Sequence, residues 1–178
     1  HDVPIVLDPV GVGATPARDE TARRLTTDLD IAVINGNYGE ITALAGETAD
    51  VRGVESVGDY SEIARDATAV AADTGAVVVA TADRAFEIEA GHELMGRFVG
   101  TGCMQGVTQA VFAGAVAETL DAVLAGTLAY GRAGERAAAG AYGDFEGPAS
   151  YRTAFLDAIA GLAAAEAAPD EERITELD

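Results

Sequence analysis

Three short apolar runs, residues 4–7, 31–34 and 76–80, have the length and composition of buried strands. Residues 16–29, between the first two runs, follow a helical pattern that is acidic at its start. Residues 38–45 and 60–72 do the same between the second and third. Strands that alternate with helices in this way predict an α/β fold, a mostly parallel sheet covered by helices. Residues 85–89 change to strict alternation, Phe86 and Ile88 against Glu87 and Glu89. That pattern predicts an antiparallel edge strand reached by a short turn at Asp83-Arg84. After residue 100 the pattern is helical: 103–117, 120–139 and 149–167, with a loop at 143–148. Met104, Val107, Val111 and Ala115 recur at three- and four-residue steps, with Ala110, Phe112 and Val116 beside them, which predicts a buried helix. Residues 1–167 read as one domain, and 168–178 as an acidic, frayed tail.

Composition changes this picture in three ways. The 178 residues carry 30 acidic against 11 basic side chains, a formal charge of −19, and every basic residue is Arg. A surface of that sign repels nucleic acid and anionic membrane, and no apolar run is long enough to span a bilayer. The surplus of carboxylates without lysine points to a high-salt cytoplasm, where screening reduces self-repulsion. One Cys excludes an internal disulfide, and two His beside it are too few for a structural zinc site. The chain opens at His1 and runs almost at once into the first strand, which predicts a missing N-terminal segment.

Chemistry in open α/β sheets gathers at the carboxyl ends of the strands. Asp8 follows the first strand, Asn35-Gly-Asn37 the second with Glu40 three residues on, and Thr81 the third. An Asp and a Glu at one rim suit a hydrated Mg²⁺, which keeps most of its waters and needs few carboxylates. Other roles are open to both: a turn residue bonding its own loop for Asp8, a carboxylate on the helix macrodipole for Glu40. Gly100, Thr101 and Gly102 stand where the apolar helix begins. Glycines there leave N–H groups free to face an anion, with Cys103 inside the cradle. A plain turn with a Thr cap gives the same letters. Two better-known glycine motifs are excluded. Gln105 stands where a dinucleotide fingerprint needs Gly, and a P-loop needs the lysine this chain lacks.

Four stretches together carry a resemblance: Leu7-Asp-Pro-Val-Gly-Val-Gly-Ala-Thr-Pro16, Gly36-Asn-Tyr-Gly-Glu-Ile41, Gly91-His-Glu-Leu-Met95 and Gly100-Thr-Gly-Cys103. In order and spacing the chain resembles hydroxyethylthiazole kinase, a thiamine-pathway family of the ribokinase-like superfamily, over about residues 3–165. The resemblance implies ATP-dependent phosphorylation of the primary alcohol of 4-methyl-5-(2-hydroxyethyl)thiazole. It implies Asp8 and Glu40 for Mg²⁺, Thr81 and the position of Asn35 for ATP, and Gly100 for the substrate hydroxyl. Thr101, Gly102 and Cys103 would form the catalytic turn, and the protein would be a cytoplasmic homotrimer.

The chain departs from that pattern at several points. Asn35 stands where the family usually has an ATP-contacting Arg, with Arg84 or Arg97 as candidate substitutes. Thr81-Ala-Asp-Arg-Ala85 replaces Thr-Gly-Glu-x-Asp, Ala90 replaces Asn, and Val99 replaces Thr. These changes and the absent N-terminal portion favour a second reading, a non-catalytic remnant that binds a small ligand or partner. A third, a dehydratase for hydrated nicotinamide cofactor, is opposed by Cys103, where other ribokinase-like enzymes carry Asp.

Overall fold

Residues 3–46, 77–78, 85–164 and 171–177 are described by the structure, a computed structural model. The expected helix at 60–72, the turn at 83–84, and Thr81 and Arg84 lie outside the described residues. Strand β1 (Ile5–Leu7) is followed by helix α1 (Pro16–Asp28), strand β2 (Ile31–Ile34), helix α2 (Tyr38–Leu44) and strand β3 (Val77–Val78). Helix α1 starts where the sequence can start it: Pro16 brings its fixed φ to the first turn, and Thr15 Oγ1 accepts the Arg18 N–H at 3.4 Å. The three strands run parallel in the order β1-β2-β3, with Leu7 opposite Ile34 and Val33 opposite Val77. Their carboxyl ends therefore share one rim. Ile31, Ile34 and Ile41 pack beneath it with Leu7 and Leu44.

The second half is helical, as expected, with α3 (Thr101–Ala113), α4 (Thr119–Ala138) and α5 (Pro148–Ala160). A second core lies between α4 and α5, built from Tyr130, Ala133, Ala137, Tyr151, Ala154, Phe155 and Ala158. Tyr151 stacks on Phe155 at 6.0 Å and donates to the Gly134 carbonyl at 3.0 Å. Small residues let α4 approach its neighbours closely. A Cβ on Gly131 would stand 2.6 Å from that of Ala90 and 2.8 Å from its carbonyl carbon. Gly131→Ala is therefore expected to cost about 1–3 kcal/mol by overpacking. Thermal melting should fall by several degrees, since the backbone of Ala90 cannot rotate away as a side chain can.

Three expectations are corrected. Helix α3 buries Gly106, Thr108, Gln109 and Ala113, whereas Val107 and Val111 are each 66% exposed. The reason is the close packing of α3 on α4: Gly126 of α4 faces Phe112 and Gln109, and the Gln109 amide donates to Thr127 Oγ1 at 3.0 Å. Strand β4 (Ala85–Ile88) pairs antiparallel with β5 (Ile174–Leu177), a partner drawn from the tail. The acidic tail is thus ordered in part. Arg173 reaches Glu135 on α4 at 3.0 Å, and the same carboxylate accepts the Gly91 N–H at 3.1 Å. Helix α5 also stops at Ala160, where a 3₁₀ turn, Gly161–Ala164, takes over in place of the expected run to residue 167. Among the described residues, no helix is long and apolar enough to cross a membrane.

Candidate active site

The rim begins at Asp8, half-buried at the end of β1. Pro9 starts a tight turn, with the Val12 N–H on its carbonyl at 3.0 Å, and Gly11 and Gly13 take φ of +72° and +85°. Glycine is required at both, because L side chains rarely enter that region. The loop folds over α2, so that the Gly11 N–H donates to Glu40 Oε1 at 2.9 Å. The other Glu40 oxygen accepts the Asn37 N–H at 3.0 Å, while Asn37 Oδ1 accepts the Glu40 N–H at 3.1 Å. This reciprocal pair is a capping box. Glu40 therefore does act as a helix-start carboxylate, whatever else it serves.

Gly100 caps α3 in a left-handed conformation, φ +107°, with no side-chain cap. Met104 is the first residue whose N–H is taken up, by the Gly100 carbonyl at 3.0 Å. The amides of Thr101 and Gly102 find no acceptor among the described residues, leaving the positive end of the helix bare. Cys103 is exposed beside them.

Asp8, Asn35, Glu40 and the start of α3 come together. Asn35 donates to the Gly102 carbonyl at 3.2 Å and also faces Asp8. Burial lifts the Asp8 carboxyl above its ordinary value; the Cys103 thiol, donating to it, pulls it down, the Glu40 charge lifts it again, and Asn35 lowers it. The thiol is pushed upward too, by burial first and then by the Asp8 charge and the thiol's bond to that carboxylate. Each of these influences favours the neutral thiol of Cys103 over its thiolate. Its alkylation by iodoacetamide is expected to show a midpoint above the ~8.5 of a free thiol, read from the rate against pH. Cys103→Ala should retain about a tenth of wild-type turnover; a loss a thousandfold deeper would make the thiol an obligatory base.

Two carboxylates close enough to raise one proton affinity fit a cation held mainly by its own waters and by phosphates. Among the described residues no group of three or more His, Cys, Asp or Glu forms a protein-made cage for a metal. His92 caps the 3₁₀ turn Glu93–Arg97 through its Nδ1, which accepts the Leu94 N–H at 3.3 Å. Reading the sequence missed Tyr130, whose hydroxyl donates to the Thr101 carbonyl at 2.7 Å from 29 residues away. The only signal was its being the sole aromatic in the small-residue helix α4.

A parallel sheet whose carboxyl rim sets paired carboxylates beside a bare helix N-terminus is a ribokinase-like α/β arrangement. The sequence model of the hydroxyethylthiazole kinase family matches residues 1–165, and the chain belongs to that family. A hydroxyethylthiazole kinase of Natronomonas pharaonis is 56% identical over 96% of this chain and 63% of its own. One from Haloquadratum walsbyi is 54% identical over 100% of this chain and 62% of its own. The structure of hydroxyethylthiazole kinase from Pyrococcus horikoshii OT3 superposes with a TM-score of 0.72 at 28% identity, covering 98% of this chain and 66% of that one. The chain spans a little over six-tenths of the length of these two curated relatives.

Proposed function

We propose that the chain transfers the γ-phosphoryl group of ATP to the primary alcohol of 4-methyl-5-(2-hydroxyethyl)thiazole, in the thiamine pathway. The observation that carries this reading is the pair of unbonded amides at Thr101 and Gly102 beside Asp8. Phosphoryl transfer asks mainly for positioning and charge stabilisation, which main-chain N–H groups provide without a lysine. The two amides face the transferring group. Gly100, lacking a side chain, admits the substrate hydroxyl. The Cys103 thiol donates to Asp8, leaving a sulfur lone pair to accept the hydroxyl hydrogen and turn its oxygen toward phosphorus. A loose transition state needs little more from a base, and the hydroxyl proton passes to an oxygen of the transferred phosphoryl group as the new P–O bond forms and the bond to ADP breaks. Asp8 would hold Mg²⁺ with Glu40 assisting, and the ion would neutralise charge on the phosphates. Thr81 is the remaining ATP contact in this reading. The protein works in the cytoplasm, as a homotrimer, with no nucleic-acid or membrane partner.

In molar salt, ADP should form from ATP only when Mg²⁺ and the thiazole alcohol are both present. ADP release indifferent to the alcohol would remove the substrate assignment. A competing reading, a ligand-binding protein without turnover, draws on Asn35, whose amide is engaged inside the protein instead of offering a cation to phosphate. A failure to form ADP while the nucleotide still binds would favour it.

A further inference from the structure

Two carbonyls in the first turn of α3 each carry an additional partner, one at the end of β2 and one on α4. Asn35 Nδ2 donates to Gly102 at 3.2 Å, and Tyr130 Oη donates to Thr101 at 2.7 Å. Both side chains are buried, 7% and 2% exposed. Asn35 is anchored to the sheet, since its own N–H extends the β1–β2 ladder to the Leu7 carbonyl at 2.9 Å. Gly106, one turn further along α3, leaves room for that amide; a Cβ there would stand 3.1 Å from Nδ2. Tyr130 is fixed to α4, its ring held edge-on by Phe155 at 5.1 Å. First-turn carbonyls of a helix already accept from amides four residues on. Neither contact is needed to satisfy the backbone, so each acts as a restraint on where the helix points.

We propose that Asn35 and Tyr130 are positioning residues that hold the N-terminus of α3 at a fixed angle to Asp8. The inference rests on the phosphotransfer reading, in which the Thr101 and Gly102 amides must meet the transferring group. A helix start free to tilt still binds nucleotide but spends less time aligned, so the loss falls on the chemical step.

Tyr130→Phe keeps the ring and its packing and removes only the hydroxyl. It should lower kcat about tenfold, about 1.4 kcal/mol, with KM for ATP changed by less than about twofold. Asn35→Asp loses the donor and sets a second carboxylate against Asp8, and should be at least as impaired as Asn35→Ala. A readout independent of turnover is hydrogen exchange at the Met104, Gln105 and Gly106 amides, expected to quicken about fivefold in Tyr130→Phe and Asn35→Ala. Unchanged kcat in Tyr130→Phe, or a raised KM with kcat intact, overturns the proposal. So does unchanged exchange. If the wild-type protein forms no ADP, the phosphotransfer reading fails by itself, and exchange alone decides whether the two residues restrain the helix.

Discussion

Asp8→Asn should leave less than about one-hundredth of wild-type turnover and yet melt at a higher temperature when magnesium is absent. The two effects have one origin. Burial and the neighbouring Glu40 charge raise the Asp8 carboxyl above its ordinary value, so the folded protein holds this proton more tightly than the unfolded chain. The stability gained from that proton is complete below the unfolded value and is lost as pH rises through the folded one. Above that folded value the ionised Asp8 consequently weakens the fold, and a carboxamide of the same shape relieves it. Magnesium should reverse the order. It adds binding free energy to the folded wild-type protein by mass action, and little to the variant. Melting curves with and without magnesium, run beside the ADP assay, read all three terms. A variant that melts lower without metal, or one that keeps the magnesium-dependent rise, would contradict the role given to Asp8.

Gly100→Ala should be nearly as damaging to turnover, by about a hundredfold or more, through conformation instead of charge. Nothing lies within 4 Å of where its Cβ would sit, so crowding is not the cause. The residue occupies φ +107°, which an alanine adopts only under strain. Relaxing that strain would rotate the first peptide of α3 and swing the Thr101 and Gly102 amides away from the rim. Gly102→Ala supplies the contrast. Its Cβ also meets nothing within 4 Å, but its backbone is helical. There alanine should stabilise the protein by roughly 0.5–1 kcal/mol, so any activity it loses belongs to the site itself. Equal melting temperatures for the two variants would contradict this account.

Much of the first half was legible because its signals are local. Asp-Pro after an apolar run, Thr15-Pro16 before a polar one, and Asn37 three residues ahead of Glu40 each mark a boundary by chemistry that acts within a few residues. The gathering of Asp8, Asn35 and Glu40 also reduced to a rule of topology, that loops after parallel strands meet. The face of α3 was not legible. Hydropathy ranks Val107 and Val111 above Gly106 and Thr108, but the α3–α4 contact selects residues small enough for backbones to approach. The β4–β5 pairing was hidden for a different reason. Ile174-Thr-Glu-Leu177 is short and sits among acids, and its partner lies 86 residues upstream at Ile88. Tyr130 belongs with these, since its role depends on one hydroxyl reaching another helix's carbonyl.

Glu40 makes a poor instrument for measuring metal affinity. One oxygen grips the glycine loop and the other fastens the start of its own helix, so truncating it to alanine dismantles the scaffold along with any ion site. Genetic or kinetic surveys that score carboxylates one at a time will overstate its share in catalysis. Only a replacement that still accepts from both amides can separate the brace from the ligand.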